Sequence, residues 1–274
     1  MMATIRVTAV ALPVTIGDVD ANLAAIRSAL LRAEPGPHLI VLPELATSGY
    51  VLTDAAEARA LALAADDPRL LALADAVPEG AVAVVGFCEG AGDRLYNSAL
   101  VIGRGGALGT YRKSHLWDAE YDVFTAGDEA GAVVDSPVGR IGVAICYDNE
   151  FPELPRRLAL LGARVLALPV CWPLVDRPDG ALPPETIQAM AAARSSRLPT
   201  VIADRHGAER GVTWTGGTAV ISPDGWVCAT PDADGVASAV LTVDDDKTIG
   251  RHNDLFADRR PDLYHPILER SIHA

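Results

Sequence analysis

Aromatic side chains are scarce in this sequence, making up 5% of its 274 residues. That argues against an aromatic-rich binding surface. The abundance of alanine, leucine and valine suits tightly packed α/β layers instead. Runs of positive charge are also missing. The formal net charge is -13, and phosphate binding needs clustered Lys and Arg, so nucleic acid is excluded as a partner. Cysteine is present without a pattern. Cys88, Cys146, Cys171 and Cys228 lie far apart, with no CxxC and no Cys/His pair at metal-ligand spacing, which indicates neither a disulfide scaffold nor a zinc site. Long uninterrupted apolar runs are absent too. The longest apolar region, Leu158 to Val175, contains Arg164, Pro169 and Pro173 and cannot span a membrane as one helix. The apolar stretch after Arg6 is short and interrupted by Thr8, so it reads as a first core strand rather than an export signal. Unpatterned cysteines without an export signal lead to the expectation of a cytoplasmic protein.

Half of the chain is hydrophobic, enough for a sizeable core. Ile5 to Leu12 reads as a strand, Asp18 to Arg32 as an amphipathic helix capped by Asp18 or Asp20, and Leu39 to Leu42 as a second, fully apolar strand. This β-α-β opening implies a parallel pair. Helices are expected over Asp54 to Leu63 and Asp67 to Ala76, and a third buried strand over Ala81 to Cys88. A hairpin follows, Tyr96 to Ile102 with Ala107 to Arg112. After a loop from Lys113 to Asp128, Val133 to Asp135 and Arg140 to Cys146 form a second hairpin. A helix from Glu150 to Leu161 leads into strand Val165 to Val170. Pro184 to Arg197 reads as helix. Thr200 to Asp204, Trp214 to Ser222, Trp226 to Ala229 and Ala237 to Val243 read as strands. No linker separates two halves. The expectation is one α/β domain over residues 1–245, a four-layer α-β-β-α sandwich, followed by a C-terminal tail, 246–274, lying on the domain or on a partner subunit.

One stretch carries chemistry. The β-branched run Ile141 to Ile145 ends at Cys146, and Pro152, Leu154, Leu158 and Leu161 have helical spacing beyond it. The unpaired N–H groups of a first helical turn favour thiolate over thiol, so Cys146 is a candidate nucleophile, with a buried structural cysteine as the competing reading. Glu44 and Lys113 likewise stand at the C-terminal ends of expected strands, the edge where open α/β sheets assemble sites. Singly, Glu44 reads as a helix cap and Lys113 as a solvated loop residue. Together with Cys146 they supply a base, an electrophilic clamp and a nucleophile.

Three ordered motifs carry a resemblance to the nitrilase (carbon-nitrogen hydrolase) superfamily. They are Leu42-Pro43-Glu44 with Ser48-Gly49-Tyr50, Tyr111-Arg112-Lys113-Ser114-His115-Leu116, and Gly142 to Asp148 continuing through Phe151-Pro152-Glu153. Ala203 to Gly207 and Gly216-Gly217-Thr218 also match, and the resemblance covers roughly residues 4 to 245. It implies a Glu-Lys-Cys triad, an α-β-β-α fold, no cofactor, and subunits paired as a homodimer or a higher homo-oligomer. Members hydrolyse amides, carbamoyl groups or nitriles. Glu44 would then accept the thiol proton, Cys146 attack the carbonyl carbon, and Lys113 with the Tyr147 backbone N–H hold the oxyanion. Glu120 matches a second glutamate that many members place beside the substrate; its competing reading is a loop acid that holds Lys113 in place.

The substrate reading rests on the neighbours of the triad. Tyr50, Trp117, Tyr147 and Trp172 are expected to wall the pocket, with core packing as the alternative for each. Asp148 and Glu150, where relatives acting on N-carbamoyl amino acids tend to place arginine, would repel a carboxylate and attract an amine. The expectation is a small-molecule partner, a short aliphatic carboxamide with amino-substituted amides included, cleaved through a cysteine thioester. A nitrilase or an N-carbamoyl amide hydrolase on the same triad is the nearest rival. A Cys-His hydrolase using His115 or His206, and a non-enzymatic scaffold, are the readings from other classes.

Overall fold

Strand β1 (Ala3–Val10), helix α1 (Val19–Leu31) and strand β2 (His38–Val41) open the chain, and β1 and β2 pair in parallel as the β-α-β pattern predicts. Asp18 is the cap of α1, its carboxylate accepting the Ala21 N–H at 3.0 Å. The computed structural model describes residues 3–269. Helix α2 (Ala55–Leu61) and the single turn α3 (Pro68–Leu71) precede β3 (Ala81–Ala91), β4 (Arg94–Gly103) and β5 (Gly106–Arg112). The second half holds α4 (Glu120–Val123), β6 (Ala132–Ser136), β7 (Gly139–Val143), α5 (Glu153–Leu160), β8 (Val165–Pro169), α6 (Pro184–Ser196) and β9 (Thr200–Ala203). A small hairpin, β10 (Ala208–Glu209) with β11 (Val212–Thr213), leads to β12 (Ala219–Ile221), β13 (Val227–Ala229) and β14 (Val236–Val243).

These strands make two six-stranded sheets, ordered β14-β1-β2-β3-β4-β5 and β13-β12-β9-β8-β7-β6. Each has a parallel centre, β1-β2-β3 in one and β7-β8-β9 in the other, flanked by antiparallel strands. The period of two along a strand decides which layer each residue joins. Leu39, Val41, Val82 and Val84 point between the sheets, where they join Val143, Val165, Ala167 and Val201 in one core. Ile40, Leu42, Ala83 and Val85 point outward, beneath Ile26 and Leu30 of α1. Helices α5 and α6 cover the second sheet with Leu154, Leu158, Ala189 and Ala193. Strands buried on both faces read as continuous apolar runs, which is why they were legible. The arrangement is the four-layer α-β-β-α sandwich expected, in a single domain.

Several local expectations need correction. The expected helix over Asp67 to Ala76 is one α-turn followed by a 3₁₀ segment, Ala72–Ala76. The strand expected from Trp214 shrinks to β12, because Gly216 adopts φ +67° and the chain there bends away to bridge Pro173 with Trp214. The loop after Lys113 contains α4, and strand β7 stops at Val143 before the cysteine. The tail follows the outside of α5 and α6 as far as Phe256, whose ring lies between the Arg156 and Lys247 cations at 5.2 and 5.3 Å. Lys247 Nζ donates to the Arg197 carbonyl at 3.0 Å, and Arg156 donates to the Leu255 carbonyl at 3.3 Å. Residues 270–274 of the expected tail lie outside the described residues.

Candidate active site

Glu44, Lys113, Glu120 and Cys146 converge between the C-terminal ends of the two parallel centres. Glu44 follows β2 in a sharp turn, Lys113 follows β5, and both are fully buried. Lys113 Nζ donates to Glu44 Oε1 and to Glu120 Oε1, each at 2.8 Å. Glu120 comes from α4, and its other oxygen accepts the Trp117 N–H at 2.9 Å. An ammonium has three donors, so one N–H of Lys113 is left after the two carboxylates. Asn97, from the middle of β4, donates to Glu44 Oε1 at 2.7 Å and to Glu120 Oε1 at 3.2 Å. Glu44 Oε2 is buried without a hydrogen-bond partner among the described residues.

Two carboxylates sharing one ammonium in a dry interior carry excess negative charge, and this sets the local acidity. Burial, reinforced by Glu120 and opposed by Lys113, raises Glu44 above the ordinary carboxylate range. Burial works against the Lys113 cation, yet Glu44 and Glu120 outweigh it and hold Lys113 well above its ordinary value. The lysine is therefore a fixed ammonium.

Cys146 is 5% exposed and opens a five-residue 3₁₀ turn, Cys146–Glu150, with φ +49°. A left-handed conformation at a non-glycine residue is sparsely populated and clusters at functional sites. The expectation that a helix start would favour thiolate is corrected here. Burial, followed by the Glu44 carboxylate, pushes the thiol well up, and Lys113 only partly opposes them. So short a turn supplies little of a helix dipole, and desolvation dominates. The thiol's one hydrogen bond among the described residues is a long one, 4.0 Å to the Cys171 carbonyl.

The remaining expected residues divide. Tyr50 faces the cluster: burial, then Glu120, Glu44 and Cys146, push its phenol well up. Its ring meets Trp214 edge-on at 5.6 Å. Trp117 is 44% exposed and packs edge-on against Tyr147 at 4.9 Å, and Tyr147 meets Phe151 at 5.2 Å. Trp172 is buried in the main core with Gly217 against its ring, so packing accounts for its position. Asp148 does not face a pocket, which corrects its expected role. It is fully buried, accepting from Tyr111 Oη at 2.7 Å and the Ile145 N–H at 2.9 Å, and pairing with His115 Nδ1 at 2.7 Å. Both oxygens are taken, so it braces the cysteine turn against the Lys113 loop. Glu150 lies at the surface beside Glu185, and partial desolvation with that neighbouring charge raises it. His115 is tied to Asp148 and stacked on Phe151, while His206 is exposed, so neither is placed as a base for the thiol.

Asn97 was missed, and Arg205, within the matching Ala203 to Gly207 stretch, was given no role. The only signal for Asn97 was an amide, beside Ser98, in a largely apolar strand. Arg205 is 2% exposed and reaches from the second sheet to the backbone of the Glu44 turn. Among the described residues, no group of three or more His, Cys, Asp or Glu side chains is placed to hold a metal. No helix among them is long and apolar enough to cross a membrane.

Comparison with known proteins adds the family context. The profile of the carbon-nitrogen hydrolases matches residues 6–250. A nitrilase of Pyrococcus abyssi is 36% identical over 239 residues, spanning 85% of this chain and 88% of the relative. An (R)-stereoselective amidase of a Pseudomonas species is 34% identical over 247 residues, spanning 89% and 87%. The crystal structure of an amidase from a Nesterenkonia species superposes with a TM-score of 0.77 at 25% identity, covering 96% of each chain.

Proposed function

The chain belongs to the carbon-nitrogen hydrolase family, and from that premise we propose that it is an amidase that cleaves short aliphatic carboxamides to acid and ammonia. The observation that carries this reading is Glu44. One oxygen is held by Lys113 and Asn97, and the other is buried with no hydrogen-bond partner among the described residues. That leaves a carboxylate with an open lone pair, raised in pKa, in the cluster that contains a neutral thiol. A raised carboxylate is a stronger base than an ordinary one, as taking the thiol proton requires.

In the proposed sequence, Glu44 takes the Cys146 proton as the sulfur attacks the amide carbonyl carbon. The third Lys113 N–H and the Tyr147 backbone N–H stabilise the oxyanion. As the C–N bond breaks, protonated Glu44 returns its proton to the nitrogen, and ammonia leaves a thioester on Cys146. Glu44 then deprotonates a water that attacks the thioester. The acid departs, and the proton returns to sulfur. Glu120 fixes the ammonium, while Tyr50, Trp117 and Tyr147 flank the acyl chain.

An amino-substituted substrate loses its main support, because the Asp148 carboxylate is consumed internally. A nitrile substrate is the second reading, favoured by the Pyrococcus relative's name. Attack on a nitrile by the same thiol gives a thioimidate. Subunit pairing belongs to the same proposal, supported by Leu160, Leu161 and Ile187, exposed on α5 and α6 and at the end of α5. So does a cytoplasmic location, supported by four free cysteines.

The test is ammonia release from paired short amides and nitriles, with intact-mass detection of an acyl adduct. Wild-type protein should release ammonia from amides and carry the acyl mass on Cys146, and Cys146→Ala should do neither. A folded Cys146→Ala variant that still hydrolyses amides would sink the mechanism.

A further inference from the structure

We propose that the buried pair Arg205 and Glu209 positions both the Glu44 base and the Tyr50 wall, acting across the interface between the two sheets. This rests on the amidase reading only for the roles of Glu44 and Tyr50. Arg205 Nη2 donates to the Glu44 carbonyl at 2.7 Å and to the Leu45 carbonyl at 2.8 Å. Leu45 has φ +46°, a conformation that costs a non-glycine residue about 1 kcal/mol and persists only where its surroundings hold it. Cys171 adds a third tie, its thiol donating to the Glu44 carbonyl at 3.3 Å. The base is thus aimed by groups from the opposite sheet.

The other half of the pair reaches the next part of the same loop. Arg205 Nη1 bonds Glu209 Oε2 at 2.7 Å, with both side chains at most 5% exposed. Glu209 Oε1 accepts the Tyr50 N–H at 2.7 Å and the Val51 N–H at 2.5 Å. Trp214 packs against both ends, its ring 5.8 Å from the Arg205 guanidinium and 5.6 Å from the Tyr50 ring. Arg210, next along the hairpin, donates to the Val51 carbonyl at 2.9 Å and pairs with Glu57. The residue 208–213 hairpin therefore straps residues 44–57 to the second sheet. A rigid fork suits Arg205, because its three acceptors are served from two separate nitrogens in fixed directions, a spread that the single nitrogen of a lysine does not match.

The division of labour makes the inference testable. Arg205→Lys should lower kcat by about 10²-fold, the cost of roughly 1 Å of misplacement, with KM within about threefold. Glu209→Gln should raise KM by about tenfold, the effect of roughly 1.4 kcal/mol, with a smaller change in kcat. Propionamide serves as probe. A second readout needs no turnover: the rate of Cys146 alkylation by iodoacetamide across pH. With Glu44 displaced, Arg205→Lys should alkylate more slowly near neutrality yet match wild type at high pH, where the thiol ionises without help. A merely structural role would lower the reactive fraction equally at all pH. Wild-type kcat, KM and alkylation profile in both folded variants would overturn the inference. Should Arg205→Lys not fold, the isosteric Glu209→Gln decides it. Absence of wild-type amide turnover would fail the amidase reading instead, and the alkylation profiles would still decide the strap.

Discussion

Gly86 of β3 lies directly against Glu44: a Cβ at residue 86 would sit 2.7 Å from the Glu44 Cα and closer still to the Pro43 carbonyl. Two backbones approach here as only a glycine allows. Gly86→Ala must therefore move the Glu44 turn, since neither neighbour is a flexible side-chain end. The variant is expected to lose about 1–3 kcal/mol of stability and about tenfold or more in kcat. Denaturant titration and amide turnover on the same preparation check both.

Glu120 raises the Glu44 pKa by its charge and holds Lys113 by its hydrogen bond. Replacing it with glutamine removes the first effect and weakens the second. The acid limb of the kcat/KM profile should move to lower pH, because Glu44 then ionises more readily. The plateau should fall by about 10- to 100-fold as the ammonium loosens. An unmoved acid limb would show that Glu44 does not set it.

Asp148 is the residue whose substitution separates bracing from substrate choice. Tyr111 and the Ile145 N–H share one oxygen of Asp148, and Ser114 and His115 share the other, so Asp148→Asn keeps an acceptor for one set only and leaves the other poorly partnered in a dry interior, at a cost of about 2–4 kcal/mol. Thermal or denaturant unfolding should register that loss, while the ranking of neutral against amine-bearing amides stays as in wild type. A changed ranking would restore Asp148 to the pocket.

Asp204 gives a pH dependence of stability with a definite sign. Burial pushes its carboxyl from 3.8 to about 7, despite N–H donors from Gly217, Trp172 and Arg205. The folded state thus holds this proton more tightly than the unfolded one. Its favourable contribution is complete below about pH 4 and is lost as pH rises to about 7, an interval worth about 4 kcal/mol at most. The gap in unfolding free energy between wild type and Asp204→Asn should shift in the variant's favour by a few kcal/mol from pH 4 to pH 8. A gap independent of pH would refute the assignment.

How much of this was legible follows from where the determinants lie along the chain. The layered fold was readable because Leu39 to Leu42 and Ala81 to Cys88 are apolar on both faces, and Asp18 marks a helix start. Glu44 and Lys113 were readable because each stands within three residues of the end of its own strand. Asn97 and Arg205 were not, since their partners lie 53 and 161 residues away in sequence, and only the pairing of strands and sheets brings them together. Asp148 misled for a related reason. An acid beside a cysteine looks like a pocket residue until the Tyr111 hydroxyl and the Ile145 N–H are seen to consume it. Local rules likewise suggested an activated thiolate at Cys146. Desolvation by two packed sheets, a property of the whole fold, reversed it.

That reversal has a consequence for the protein at rest. Peroxide and stray electrophiles react with the thiolate and spare the protonated thiol. A sulfur held protonated by its surroundings is a slower target for such reagents than an activated thiolate, and in the proposed mechanism it reacts fastest where Glu44 draws off the proton. The desolvation that makes Cys146 harder to ionise is thereby also its protection, a chemical safety catch built from the same buried acids that release it.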